Sequence, residues 1–454
     1  MWKLVRLSLV NNNILMRSCS CLTATVGTKS KPMKLSKRRK WIPAGYISSG
    51  LLLATVMVTG CGAPDADFRA NEAYLTLQEN KVGELGTRRE SIKQNIEDVL
   101  TGLYGTPDEP HLLSVDGLSD VVEIENLQIA AGPTGSIDEA GARRGLYREH
   151  CAHCHGITGD GRGPTAEFLN PYPRDYRLGV YKFKSTTGKM PPTRDDLKKT
   201  LVEGIPGTAM PSFRLLNGFE LDALVDYVRY LSIRGETERA LIDYAVELED
   251  DQNVLWNIAD EAQQTEAKEA VEEMVADVVA KYVAAHDNRI PVPAPPENWE
   301  TAESIARGRE LFAGPIANCI KCHGLTALGD GVVNDYDDWT KEFFDPNAPG
   351  GRETFAELYG STHAVMKPRP IRPRNLRMNV FRGGRRPVDL YWRLANGIVG
   401  TPMPAVPIKA EDAPEEDPRL VSDDVWHIIA YVRNLPYEDI SEPAPLPKYQ
   451  RKRH

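Results

Sequence analysis

Cysteine occurs only seven times in these 454 residues, and four of the seven stand in two copies of one pentad. The copies are Cys151-Ala152-His153-Cys154-His155 and Cys319-Ile320-Lys321-Cys322-His323. No other feature restricts the chain so strongly, because each pentad ties three reactive side chains to a single turn of backbone. Seven cysteines are too few to staple a chain of this length with disulfides. The pentads therefore mark sites.

Their surroundings are repeated as well. Gly204-Ile205-Pro206-Gly207-Thr208-Ala209-Met210-Pro211 matches Gly397-Ile398-Val399-Gly400-Thr401-Pro402-Met403-Pro404. Arg174-Asp175-Tyr176-Arg177 pairs with Arg374-Asn375-Leu376-Arg377, and Tyr227-Val228-Arg229 with Tyr431-Val432-Arg433. The order is kept while the offset drifts between 168 and 204, as expected for two copies of one module with loops of different length. Each copy opens with an expected amphipathic helix, over 140–149 and 302–312. Each closes with another, whose apolar stripes are Leu221, Leu224, Val225, Val228, Leu231 and Val425, Ile428, Ile429, Val432, Leu435. Alternating runs are scarce, so the expected fold is mainly α: two tandem helical modules, 138–235 and 300–438. Between them, 236–299 reads as an acidic linker of two helices ending in Pro291-Val292-Pro293-Ala294-Pro295-Pro296. Residues 61–137 read as a helical spacer or docking arm, and 439–454 as a tail.

Charge divides the chain unevenly. Residues 1–60 hold ten Lys and Arg and no acid, leaving 45 basic against 64 acidic side chains in 61–454. So acidic a body does not suit nucleic acid, whose affinity comes from Lys and Arg on phosphates. At the other end, Lys34-Leu35-Ser36-Lys37-Arg38-Arg39-Lys40 precedes an uncharged stretch, 41–60, that runs into Val58-Thr59-Gly60-Cys61. Basic head, apolar segment and small residues form the layout of an export signal; a single membrane-spanning helix over 41–60 is the competing reading. The ending resembles a bacterial lipoprotein box, which implies that Cys61 becomes the first mature residue and carries lipid. Met33 begins such a leader by itself and is the expected true start, with Cys19 and Cys21 left outside the product.

Cys-x-x-Cys-His is the attachment signature of c-type haem. The two thiols form thioethers at one porphyrin edge, and the histidine is aimed at the iron. A thioredoxin-like redox pair or half a zinc site are the alternatives, but the first needs no following His and expects a βαβ context. Cys151, Cys154, Cys319 and Cys322 are thus expected as haem linkages, with His155 and His323 as proximal ligands. Met210 and Met403, equivalent in the repeat, are the expected ligands on the far side. Met190 is the rival in the first module, and Met366, Met378 and His363 in the second.

On these residues the chain resembles the class I cytochrome c family, in particular tandem dihaem cytochromes c. The pattern is Cys151-x-x-Cys154-His155-Gly156, the glycine-rich run to Pro164, Pro173-Arg174-Asp175, Met210-Pro211 and the closing helix. The resemblance implies two covalent haem c groups, a Pro164 carbonyl accepting from His155 Nδ1, and Arg174 and Arg374 at the haem propionates. The second copy has Val332-Val333-Asn334 where the Gly-Pro belongs, which leaves the partner of His323 open. The acidic Asp335-Tyr336-Asp337-Asp338 is expected as solvated surface. The expected function is electron transfer without catalysis, between a redox donor and acceptor that include a membrane respiratory complex. The chain would be lipid-anchored on the periplasmic side of a bacterial membrane. A dihaem peroxidase and a haem subunit of a periplasmic dehydrogenase are the alternatives.

Overall fold

The computed structural model describes residues 65–441 apart from 113, 139–140, 249–264, 332–334, 361–364 and 411. The leader with Cys61, the rival His363, Val332–Asn334 and the tail beyond 441 lie outside the described residues. All described residues fall within one unit, 63–454.

Among the described residues there is no strand, only isolated bridges, and the fold is helical as expected. Among the described residues four helices precede the first module: α1 (Glu72–Val82), α2 (Arg88–Tyr104), α3 (Leu118–Val121) and α4 (Ile124–Ala130). The first module holds α5 (Leu146–His150), α6 (Ala152–His155), α7 (Arg194–Glu203) and α8 (Gly218–Glu247), and α9 (Thr265–Val283) follows. The second module holds α10 (Ala302–Ala313), α11 (Ile320–His323), α12 (Asp338–Phe343), α13 (Gly351–Tyr359), α14 (Pro387–Asn396) and α15 (Ser422–Asn434).

The helix α8 organises the first half. Asn217 starts it with a reciprocal cap: Asn217 Oδ1 accepts from Glu220 N at 3.0 Å, and Glu220 Oε2 accepts from Asn217 N at 2.9 Å. Thirty residues at about 1.5 Å each give a rod of roughly 45 Å. The helix therefore runs past 235, where the first module was expected to end, and takes linker residues 236–247 with it. Its length lets it pack against the segment 72–131. In α2 the buried positions Ile92, Ile96, Val99, Leu100 and Leu103 form one stripe, and they share a core with Leu224, Leu231, Leu241 and Ile242 of α8. Polar contacts pin the same contact: Asn71 N donates to Glu238 Oε1 at 2.7 Å, and Tyr230 Oη donates to Tyr104 O at 2.6 Å. The expected spacer is thus a wall of the first module, and α9 joins the core through Val271, Val275, Val278 and Val279.

The expected helix over 140–149 begins only at Leu146. Gly145 precedes it with φ 85°, a left-handed turn that glycine adopts freely, and its position lies tight against Pro133 O. In the second module α10 matches expectation and crosses α15 closely. A side chain at Gly308 would fall 1.9 Å from His427 O, so only a residue without Cβ lets the two helices meet there. The aromatic pairs repeat across the modules: Tyr147 on Tyr227 at 4.8 Å, and Phe312 on Tyr431 at 5.4 Å. The second module keeps its own core around Leu311, Phe312, Trp426, Ile428 and Ile429. A small third cluster joins Ala73 of α1 to Phe343, Phe355 and Tyr359, which lie in the stretch between Gly331 and Pro373 where the second module is much longer than the first, its insertion.

Candidate functional site

Each pentad forms one helical turn. His155 N bonds Cys151 O at 2.9 Å, and His323 N bonds Cys319 O at 2.8 Å. The turn brings two cysteines and a histidine together without help from the rest of the chain. No disulfide joins any of these four cysteines. Burial pushes the Cys151 thiol up to about 12 and Cys319 up to about 11.

The histidines are oriented identically. His155 Nδ1 donates to Arg174 O at 3.0 Å, and His323 Nδ1 donates to Arg374 O at 3.1 Å. A carbonyl only accepts, so Nδ1 carries the proton and Nε2 keeps its lone pair. Burial pushes His155 down to about 4 and lowers His323, which keeps both rings neutral near pH 7. The acceptor for His155 is Arg174 rather than Pro164. Because the two arginines are equivalent in the repeat, the same bond serves His323, whatever occupies 332–334. Tyr176 stacks on His155 at 4.8 Å between ring centres and fixes its plane.

The methionine loops are also copies. Ile205 N bonds Met210 O at 3.1 Å, and Ile398 N bonds Met403 O at 3.0 Å. Met210 N donates to Thr208 Oγ1 and Met403 N to Thr401 Oγ1, at 3.1 and 3.2 Å. Gly204 and Gly397 sit at φ 66° and 68°, and a Cβ on either would strike the backbone that follows its methionine. This close turn is why the pattern Gly-Ile-x-Gly-Thr-x-Met-Pro recurs.

Met210 lines one cavity together with Cys151, Cys154 and His155, walled by Leu197, Leu201, Val225 and Val228. Its volume is about 300 Å³, at the lower end of the range of small-molecule and cofactor pockets. Met190 is not among the lining residues. Met366 is, although it belongs to the second module's insertion, and Met378 stands 63% exposed. Among the described residues no three His, Cys, Asp or Glu side chains come together as a metal site. Two thiols, one neutral imidazole and one thioether suit a group that brings its own ring of iron ligands. The residues therefore fit haem.

Sequence reasoning missed several residues at this cavity. Trp339, Lys182 and Arg382 line it with Arg174, whose guanidinium carbon lies 3.5 Å from the centre of the Trp339 ring. Asp337, expected as solvated surface, is half-buried: it caps α12 through Thr340 N at 3.0 Å and pairs with Lys182 at 3.8 Å. No periodicity or motif marks these positions. The Arg374 side chain turns to Val380 O, 3.3 Å away.

Residues 138–228 match the family described as Cytochrome C oxidase, cbb3-type, subunit III. No curated protein matches the chain. Among solved structures it is similar to a chain of the reducing HAO-like protein complex of Kuenenia stuttgartiensis, with 22% identity over 66% of this chain and 97% of that one. The TM-score of 0.41 makes that likeness too loose to carry an argument. The family match over the first module supports a cytochrome c family, with covalently bound haem c as the cofactor such a domain implies and electron transfer as its role.

Proposed function

We propose that this chain is an exported dihaem c-type cytochrome passing single electrons between proteins at a bacterial membrane. Bound haem supplies an iron that changes by one electron. The chain's own part is to hold and tune it. Cys151 and Cys154 in one module, and Cys319 and Cys322 in the other, carry the thioether links. His155 and His323 present a neutral Nε2, each held by an arginine carbonyl as a ligating histidine requires. Met210 and Met403 offer thioethers, which favour reduced iron and raise the potential relative to two imidazoles. Arg174 and Arg374 would meet the propionates, and Cys61 would carry the lipid anchor. A redox donor and acceptor, with a membrane respiratory complex among them, are the partners.

The observation that supports two centres rather than one is the duplicated hydrogen bonding. The histidine–arginine bond and both methionine-loop bonds recur in the second copy within 0.1 Å. A module kept only for its shape has no need of them. Equivalent methionine loops also weigh against the peroxidase reading, which requires one iron with a displaceable ligand. The test is the haem content and spin state of the exported protein. Two acid-resistant haems per chain, low-spin in both oxidation states and inert to carbon monoxide, are expected. One high-spin iron, with peroxide turnover at an enzyme's rate, would move the assignment to the peroxidase. For the anchor, Cys61→Ala should release the protein into the soluble fraction; retention would favour an uncleaved 41–60 helix.

A further inference from the structure

The joint between the two modules holds more cationic donors than acceptors. Arg174 and Lys182 come from the first module, and their charged groups lie 3.5 and 5.2 Å from the centre of the Trp339 ring of the second. Arg382 donates to Gly207 O at 3.5 Å, and the Arg374 guanidinium lies against the same glycine, in the Met210 loop. Among the described residues, only Lys182 of these four has a carboxylate within ion-pair reach, Asp337. Nε of Arg374, Nε of Arg382 and Nε1 of Trp339 are buried without an acceptor. Each such orphan leaves the desolvation of a buried donor uncompensated. Burial, with the Arg174 charge beside it, pushes Lys182 down to about 7. Arg174, Lys182, Arg382 and Trp339 line the cavity of Cys151, Cys154, His155 and Met210. An anion with several acceptor oxygens entering that cavity would satisfy the donors and the charge together.

The Trp339 ring also closes on the other methionine loop. A Cβ at Gly400, three residues before Met403, would fall 2.1 Å from it. One side chain therefore touches both loops' surroundings: Arg174 on the first site and Gly400 on the second.

We infer that the second module completes the first module's haem site: Trp339 and Arg382, with Arg174 and Lys182, receive the carboxylate side chains of the group held at Cys151 and Cys154. Residues of one module then help set the potential of the iron in the other. This rests on the haem reading above. A carboxylate beside cations carries less effective negative charge, and the nearby positive charge favours the reduced iron.

The experiment is a spectropotentiometric titration of the full-length dihaem protein, with covalent haem counted in each sample. Repeating it in the Met403→Ala background separates the two centres. Arg382→Gln and Lys182→Met should each keep two haems and lower the first centre's reduced-to-oxidised ratio at fixed potential by about three- to tenfold, tenfold being about 59 mV for one electron. Trp339→Phe, which keeps an aromatic ring and removes the N–H, should shift it in the same direction by less. Two attached haems with an unmoved first potential in all three variants would overturn the inference. A free anion is the other source of the same chemistry. Inorganic phosphate at constant ionic strength should leave the potential unchanged; a shift matching Arg382→Gln would assign the corner to solvent anions and overturn the haem-carboxylate assignment. Unmodified protein lacking haem at Cys151 and Cys154 would instead overturn the haem reading itself.

Discussion

The two modules share a motif and a hydrogen-bond scheme, yet they enclose their pentads differently. Cys151 is buried at 6% exposure, within a core that also contains α1 to α4, α8 and α9. Cys319 is half-buried, at the margin of a smaller core built from its own module. The thiol and imidazole follow: Cys151 is pushed further up than Cys319, and the His155 shift is large enough to reach about 4. The local turn is the same in both places, so the difference comes from what is packed outside it. The first module has gained two coverings, the N-terminal helices on one side and the insertion of the second module on the other. Solvent exposure is one of the levers on a haem potential. On the dihaem proposal, two copies of one motif in one chain are thereby unequal redox centres.

Removing the attachment cysteines is the most drastic way to break this comparison. Cys151→Ala with Cys154→Ala, and separately Cys319→Ala with Cys322→Ala, should each leave one covalent haem of two. The first pair should cost more stability, because the larger core is built around it. Equal losses in denaturant midpoint would show that the coverings are not coupled to the site.

Next in size is the opening of one iron at a time. Met210→Ala and Met403→Ala should each lower one potential and admit carbon monoxide to one haem. Binding should be slower at the first module, where the insertion covers the cavity, and flash photolysis measures both rates. Faster access through the first module would contradict the enclosure.

Leu100→Ala sharpens the role of the N-terminal helices. The side chain is fully buried against α8, and the loss should be about 2–5 kcal/mol. Guanidinium unfolding should show it in the first module's transition, with the second centre's potential unmoved.

The smallest effect concerns Lys184, whose ammonium donates to Thr186 O at 2.9 Å and Gly188 O at 2.8 Å. Burial pushes it down to about 8. Between pH 8 and 10.5 the unfolded chain holds this proton and the folded chain does not, so stability should rise with pH across that window. The gain is on the order of 3 kcal/mol. Lys184→Met should flatten the slope; a mutant with the native slope would place the titration elsewhere.

What could be read from the sequence was whatever spans a turn or two of backbone. Five residues place two thiols and an imidazole on one helical turn, and eight residues with two obligatory glycines shape each methionine loop. The helical stripes of 221–231 and 425–435 likewise follow from a period of 3.6. These features need no distant partner, and the repeat doubled the signal for each.

The rest was decided by chain segments far apart in sequence. Arg174, 19 residues from His155, supplies the imidazole's acceptor in place of Pro164, and Arg374 does so from 51 residues away. The repeat marked both arginines, but every residue offers the same backbone carbonyl as its neighbours, so the pattern did not say which one the imidazole meets. Residues 72–131 looked like a spacer because their apolar stripe names a buried face but not its partner. The partner is the continuous α8, whose passage beyond 235 the module boundary concealed. Trp339, Lys182 and Arg382 meet only because the insertion of one module folds over the cavity of the other. Their burial, their orphaned donors and their unbalanced charge are properties of that meeting, and they exist only in the folded chain.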